Sequence, residues 1–451
     1  MCSNKLYAQE ESQCDSVPYK CKWDLRDSIY TDIAVLKDND ARVYGVSSTG
    51  FKDVNYMLTK DNCDQANDSC SGDPNILKYN VYYPEYHDYA GCKLPCVIIF
   101  HGGAFTECSN FNTPQIREIA NEFAERGYVV FDVEYRRGVI TDNNLTVSGS
   151  GPLVTYTSAQ QQLAIYRAAQ DARGAIRSII KRQQKHDDDF PGDPYQIDIN
   201  NIFIGGISAG SLIAMLTAYY PRQTMIDSIF PGVKNVLGDI DADYYYGNPN
   251  YDYLPKIKGV MNMWGGMSLP LNFVNNPQNF FAGNGHIPSL ISFAGDNDET
   301  FYPDSQYIYF APPGGSKGFL SSEARCLVQN GPYILPDNGA TVKDLYAIGS
   351  RYIHKFLTAI SVPSELYIDC DMEHGLDETD GPTFDSDFGT GYHTENETLR
   401  YMVQRTTTYF QAVMKGIAGS LGTKHFTECE NYRRKCNTDD NHCGTPNPSC
   451  N

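Results

Sequence analysis

Positive charge is scarce in this chain: 36 Lys and Arg stand against 55 Asp and Glu, a formal net charge of −19 at pH 7. Nucleic acids and anionic membranes are held by basic patches, so neither is expected as a partner. The same shortage repels acidic polysaccharide and leaves neutral or weakly charged molecules as the easier ligands. The plainer reading of the acidity is that it maintains solubility. Long apolar runs are missing too. None approaches the ~18 residues of a membrane helix, which excludes insertion into a bilayer through such a span. The opening Met1-Cys-Ser-Asn-Lys-Leu-Tyr-Ala-Gln9 lacks the apolar core of a signal peptide. Ala8-Gln9 fits the tail of a trimmed one, so this lack does not argue for the cytoplasm. Asp187-Asp-Asp189 lacks the oxygen-ligand spacing of a known calcium loop and reads as a solvated loop. There is no internal repeat.

Cysteine, by contrast, is plentiful, with 14 residues. Cys14/Cys21, Cys63/Cys70 and Cys92/Cys96 are spaced for short loops. Cys429, Cys436, Cys443 and Cys450 follow one another at intervals of seven among Asn, Asp, Pro and Gly. A tail so poor in apolar residues cannot pack and needs covalent staples. Structural zinc sites favour two close pairs two to four residues apart, which this even spacing does not match. Disulfides, and hence an oxidising, extracytoplasmic location, are the expectation. Pairing is not deducible, and Cys108 and Cys370 fit either a bridge or a free thiol. Asn67-Asp-Ser, Asn144-Leu-Thr and Asn396-Glu-Thr are glycosylation acceptors only in a eukaryotic host.

Three segments follow from these patterns. Residues 1–40 are a polar, cysteine-bearing extension, 41–420 the main domain, and 421–451 the cysteine-rich tail. Within 41–90, Val54-Asn-Tyr-Met-Leu and Leu77-Lys-Tyr-Asn-Val-Tyr-Tyr read as an antiparallel sheet edge. Strands near 97–101, 128–134, 201–205, 258–264, 289–294 and 365–370 then alternate with helices near 115–126, 159–183, 210–220, 341–360 and 398–418. Such alternation marks an α/β fold, a mostly parallel sheet with helices on both faces. The irregular stretches 138–158, 230–256 and 310–340 are lid-like insertions of the kind that form pockets. The second carries Tyr244, Tyr245, Tyr246, Tyr251 and Tyr253, read as packing or lid surface ahead of a stacking platform for aromatic or sugar rings.

The chemistry concentrates at the ends of four strand candidates. Ser208 sits inside Gly206-Ile-Ser-Ala-Gly210, between the apolar Asn201-Ile-Phe-Ile-Gly-Gly206 and a helix. A strand that turns sharply into a helix strains the serine and presents its hydroxyl at the tip. The helix N-terminus behind it favours a developing anion. Chance alone yields such a pentapeptide in roughly one chain in six of this length, so the neighbours must decide. Pro95-Cys-Val-Ile-Ile-Phe opens into His101-Gly-Gly-Ala-Phe105, a loop whose N–H groups can face a cavity. Pro288-Ser-Leu-Ile-Ser-Phe-Ala runs into Gly295-Asp-Asn-Asp298, and Glu365-Leu-Tyr-Ile-Asp-Cys into Met372-Glu-His374. The chain order Ser, Asp, His at successive strand ends is what an α/β-hydrolase sheet requires.

With these motifs the chain resembles the carboxylesterases of the α/β-hydrolase superfamily. It resembles most the hormone-sensitive lipase-like branch, marked by a His-Gly-Gly-Gly loop, and is most similar there to secreted esterases of environmental bacteria. Arg126-Gly-Tyr-Val-Val-Phe-Asp-Val-Glu-Tyr-Arg136 resembles the family strand that ends in Tyr-Arg. Ala168-Ala-Gln-Asp-Ala-Arg-Gly-Ala-Ile-Arg177 resembles the helix before the nucleophile strand. The likeness spans residues 76–415 and is strongest at 98–105, 126–137 and 202–211. Ala104 departs from it, standing where the branch has a third glycine. Its N–H survives, while its methyl narrows the pocket and disfavours bulky tertiary alcohol esters.

The expected site is therefore Ser208 as nucleophile, His374 as base and Asp298 as its orienting acid, with an oxyanion hole from the N–H groups of Gly103, Ala104 and Ala209. The Gly295-x-x-Asp298 spacing favours Asp298 over Asp296. His101 reads as a structural member of its loop. The remaining histidines read as surface or packing residues. No metal or organic cofactor is required. The expected function is secreted hydrolysis of short-chain or aromatic esters, of the acetyl, feruloyl or polyester type, on small molecules or polymers. A peptidase with the same triad and a non-catalytic adhesion protein of cholinesterase-like kind are the alternatives. The esterase-type loop argues against the first and the complete triad against the second.

Overall fold

A segment such as Leu94-Pro-Cys-Val-Ile-Ile-Phe100 has no polar side to offer water, and as a strand it must be covered on both faces. In the computed structural model of the chain it is, at 0 % exposure for Leu94, Cys96, Val97, Ile98, Ile99 and Phe100. The structure describes residues 79–103, 113–135, 158–184, 193–241, 256–268, 285–307, 346–369 and 395–418, a few positions within them excepted. It also describes Phe105, Phe281, His374, Gly375 and the short strands at 33–36, 44–45, 56–57, 76–77, 139–140 and 425–427.

The described strands are β1 (Ile33–Leu36), β2 (Tyr44–Gly45), β3 (Tyr56–Met57), β4 (Ile76–Leu77), β5 (Tyr79–Pro84), β6 (Leu94–Phe100), β7 (Val129–Val133) and β8 (Val139–Ile140). After them come β9 (Ile197–Ile207), β10 (Ile257–Met263), β11 (Gly266–Ser268), β12 (Ser289–Gly295), β13 (Ser305–Tyr307), β14 (Tyr346–Gly349), β15 (Ser364–Asp369) and β16 (His425–Thr427). The helices are α1 (Pro114–Glu125), α2 (Ser158–Gln184), α3 (Ala209–Tyr219), α4 (Gln223–Ile229), α5 (Lys234–Leu237), α6 (Ser350–Ala359) and α7 (Glu395–Met414).

Nine strands form the main sheet in the order β1-β5-β7-β6-β9-β10-β12-β15-β16. From β7 to β16 every neighbour is parallel. β1 and β5 are antiparallel, as the 41–90 edge predicted for Leu77–Tyr83 requires. Ile33–Leu36 and His425–Thr427, which flank the 41–420 segment, pair at its two edges.

Alternation along the strands assigns residues to two cores. Leu94, Cys96, Ile98 and Phe100 join Ala168, Ile176, Leu212 and Phe356 under α2, α3 and α6. Val97 and Ile99 join Ile119, Phe123, Met402 and Phe410 under α1 and α7. Each such large side chain withdrawn from water contributes roughly 1.5–3 kcal/mol, an upper figure against a compact unfolded chain. Thr113 caps α1 by accepting the Ile116 N–H at 3.2 Å, and Pro114 fits the first turn, where its missing N–H costs nothing. Buried Glu122 ties α1 to α7 by accepting from Arg126 at 2.5 Å and Arg400 at 2.8 Å.

Two expectations are corrected. The helix expected over 341–360 begins only at Ser350, because Tyr346–Gly349 is a strand paired antiparallel with both β11 and β13. Pairing on two sides outweighs helical periodicity over so short a stretch. The Cys92/Cys96 staple does not form: Cys96 is a free thiol buried in β6, on the α2 and α3 side of the sheet. Of the 230–256 stretch, residues 230–241 are laid along α2. Tyr166 Oη donates to Gly238 O at 2.7 Å, Gln170 Nε2 to Leu237 O and Asp239 O, and Arg173 and Arg177 grip Asp241. The five clustered tyrosines, Asp187–Asp189, Cys108, Cys370 and the cysteines of the tail lie outside the described residues, as do the 310–340 insertion and most of 138–158.

Candidate active site

Because β6, β9, β12 and β15 run parallel, their carboxyl ends share one edge of the sheet, and the four motif loops leave from it. Ser208 follows β9 with φ 54° and ψ −117°. A left-handed φ is unfavourable for a residue with a Cβ and persists where the surroundings enforce it. Here they do. Its N–H donates to Met263 O on β10 at 2.9 Å, and its C=O accepts from Leu212 N at 3.1 Å, so strand and helix hold the residue from opposite sides. The flanking glycines are required by contact. A Cβ on Gly206 would lie 2.3 Å from the Gly210 carbonyl carbon, and one on Gly210 only 2.0 Å from Phe100 O.

His374 bridges to the serine from the loop after β15. Its Nε2 is 2.7 Å from Ser208 Oγ, while its Nδ1 is 2.9 and 3.0 Å from the two carboxylate oxygens of Asp298. With the proton on Nδ1, the ring donates to Asp298 and accepts the serine hydroxyl at Nε2. Asp298 is fully buried, whereas the His374 side chain keeps 25 % of its surface. The acid is oriented by the turn it begins: Oδ1 accepts the N–H groups of Thr300 at 2.8 Å and Phe301 at 2.7 Å. The Phe301 ring, itself buried, stands 5.9 Å from the imidazole and closes that side of the pair.

The His-Gly-Gly loop borders the nucleophile. A Cβ on Gly102 would touch Ile207 O at 3.2 Å and Ser208 Cβ at 3.5 Å, so this stretch of backbone lies against the turn. Gly103 has φ 108°, a conformation open to glycine and strained for other residues. Ala209 is the first residue of α3, where backbone N–H groups have no partner within the helix. Gly103 and Ala209 thus flank Ser208 from two elements; Ala104 lies outside the described residues, as does Asp296. His101 is held within its own loop. It is buried, with Nδ1 2.7 Å from Gly102 O, and stacks on Tyr135 at 4.2 Å.

Tyr135, quoted above only as part of a strand ending, locks that loop. Its hydroxyl lies 2.9 Å from His101 O and 3.1 Å from Gly102 O and donates its one proton between them. Tyr135→Phe removes the donor while keeping the stack. Urea unfolding should show a loss of about 1–3 kcal/mol, the usual cost of stripping a buried carbonyl of its partner; an unchanged midpoint would mean the loop holds without it. Two further histidines are packing residues, as expected: His354 Nδ1 meets Ser364 Oγ at 3.0 Å, and His286 Nε2 meets Ile257 O at 2.6 Å. No cluster of His, Cys, Asp and Glu able to hold a metal occurs among the described residues.

A half-buried serine held against an imidazole that is held by a carboxylate can take up an acyl group and return it to water. No family model matches the chain, and no curated protein matches it in sequence. Among solved structures it is similar to a thermophilic esterase of the planctomycete Thermogutta terrifontis with propionate bound. The identity is 15 %, the alignment covers 83 % of this chain and 95 % of that one, and the TM-score is 0.40. The same esterase phosphorylated by paraoxon gives 16 %, 81 %, 95 % and 0.37. A hyperthermophilic esterase from the archaeon Pyrobaculum calidifontis gives 12 %, 86 %, 88 % and 0.37.

Proposed function

We propose that this chain is a serine carboxylester hydrolase. One observation carries the reading: His374 reaches Ser208 Oγ at 2.7 Å and Asp298 at 2.9 Å through its two nitrogens at once. A hydroxyl is a poor nucleophile at neutral pH, and a base within hydrogen-bond reach removes that obstacle. Ser208 Oγ attacks the ester carbonyl carbon as its proton passes to His374 Nε2. The carbonyl oxygen becomes an oxyanion facing the N–H groups of Gly103, Ala104 and Ala209. His374 then gives its proton to the departing alcohol, leaving the acyl group on Ser208. Water, deprotonated by the same nitrogen, attacks that acyl carbon and restores the serine.

The finer parts of the reading rest on sequence. The His101-Gly102-Gly103 loop supports placement in the hormone-sensitive lipase-like branch. The charge of −19 supports a neutral substrate, a short-chain or aromatic ester of the acetyl, feruloyl or polyester type. The 14 cysteines support export to an oxidising compartment, and Cys92 is disulfide-bonded.

The deciding assay is a p-nitrophenyl ester series from acetate to decanoate. Turnover that peaks at the short esters supports the proposal and sizes the acyl pocket. A folded protein inert towards every ester, and towards a fluorophosphonate that labels activated serines, would sink it and shift the weight to peptide cleavage or binding.

A further inference from the structure

Ser211, three residues after the nucleophile in the first turn of α3, bonds through its hydroxyl to both strands beside that residue. β9 and β10 are parallel, with Gly206 opposite Asn262 and Ile207 opposite Met263. In a parallel ladder of that register the Met263 C=O accepts from Ser208 N–H, and the Met263 N–H points at the Gly206 C=O. The first of these bonds is made, at 2.9 Å. Against the groups of the second lies the Ser211 hydroxyl, which accepts the Met263 N–H at 2.8 Å and donates to Gly206 O at 2.6 Å. Met263 O, at 3.2 Å, is the longer alternative for the same proton. One side-chain oxygen thus ties the ends of two paired strands to the first turn of the helix.

We infer that Ser211 is a positioning residue for the nucleophile, its hydroxyl fastening the carboxyl ends of β9 and β10, on which the geometry of Ser208 depends, to the helix that follows it. The inference rests on the reading of Ser208 as a nucleophile. Ser211 is fully buried, so no water replaces its hydroxyl at no cost when it is lost. Nor can it shift sideways. A Cβ on Gly265 would come within 2.2 Å of Ser211 Cβ, which shows how tightly the loop after β10 presses on the hydroxyl-bearing carbon. Without the oxygen, the Gly206 C=O and the Met263 N–H each lose a partner, and the first turn of α3 loses its tie to both strands. That loosens Gly206 and Met263, which border the turn at Ser208. A displacement well under 1 Å there alters the 2.7 Å contact with His374, and reaction rates respond steeply to such errors of alignment.

The test compares Ser211→Ala with Thr217→Val, which removes from the same helix a buried hydroxyl that has no hydrogen-bond partner among the described residues. Each is measured for kcat and KM on p-nitrophenyl acetate, for the rate of fluorophosphonate labelling, and for melting temperature. Ser211→Ala should lower kcat and the labelling rate together by about tenfold, as expected for lost alignment, with KM within about twofold. Thr217→Val should match the wild type in all three. If Ser211→Ala does not fold, Ser211→Cys takes its place, and its weaker hydrogen bonding predicts a smaller fall of the same kind. Wild-type kcat in the folded Ser211 variant, a change in KM alone, or an equal loss in Thr217→Val overturns the inference while leaving the esterase reading intact. A wild type that neither hydrolyses esters nor takes the label overturns both.

Discussion

Ser208→Ala and His374→Ala are each expected to lower kcat on p-nitrophenyl acetate by about ten-thousand- to a million-fold, and the double substitution to lower it no further. The two groups act as one device. Removing the base leaves the serine with its proton, and removing the serine leaves the base nothing to activate, so either loss disables the same step. The short Oγ to Nε2 contact of 2.7 Å is the structural form of that dependence. What remains in every variant is the proposed oxyanion hole and substrate binding, which continue to act on slow attack by water. KM should change little, since neither group is asked to hold the ester before it reacts. Additive losses in the double variant would mean that the residues serve separate steps. A single variant keeping a tenth of the wild-type kcat would mean that another nucleophile is at work.

The parts of this arrangement that are legible in sequence are those written within one turn of chain. Gly206, Ser208 and Gly210 can be read because a strand that bends straight into a helix demands small residues two positions either side of the tip, and the contacts at 2.0 and 2.3 Å show why. Asp298 and His374 are legible by a different rule: parallel strands deliver whatever follows them to one edge, so apolar runs ending in an acid and a histidine announce a meeting point. Ser211 follows no local rule. Its partners are Gly206 and Met263, and the second is 52 residues away on a strand whose place beside β9 is a matter of sheet order. Tyr135 is similar, since 34 residues separate its hydroxyl from the His101 carbonyl. The Cys92/Cys96 spacing misleads because a strand places Cys96 in the interior, where its neighbours are helix side chains. Likewise Tyr346–Gly349 has helical company in sequence and strand company in space.

Asp298→Asn should cost about ten-thousand-fold in kcat with little change in melting temperature, and the reason lies in the turn that the acid begins. Oδ1 accepts two backbone N–H groups, from Thr300 and Phe301. In the asparagine the carbonyl oxygen must keep that place, because an amide nitrogen there would face two donors with donors of its own. The side-chain NH2 is therefore forced into the position of Oδ2, 2.9 Å from His374 Nδ1. It donates to that nitrogen, and Oδ1, already holding two N–H groups, competes weakly for a ring proton at 3.0 Å, so the imidazole carries its proton on Nε2. An Nε2–H pointing at Ser208 Oγ is a donor where an acceptor is needed, and the serine keeps its proton. Size and packing are unchanged, so the protein stays folded with its machinery in the wrong tautomer. Nitrogen-15 NMR of the imidazole would show the proton moving from Nδ1 to Nε2 as activity disappears. Asp296→Asn, made alongside, should leave kcat within about twofold, because the carboxylate that meets His374 is that of Asp298. A folded Asp298→Asn that keeps more than a tenth of its kcat, beside an inactive Asp296→Asn, would move the acid two residues upstream.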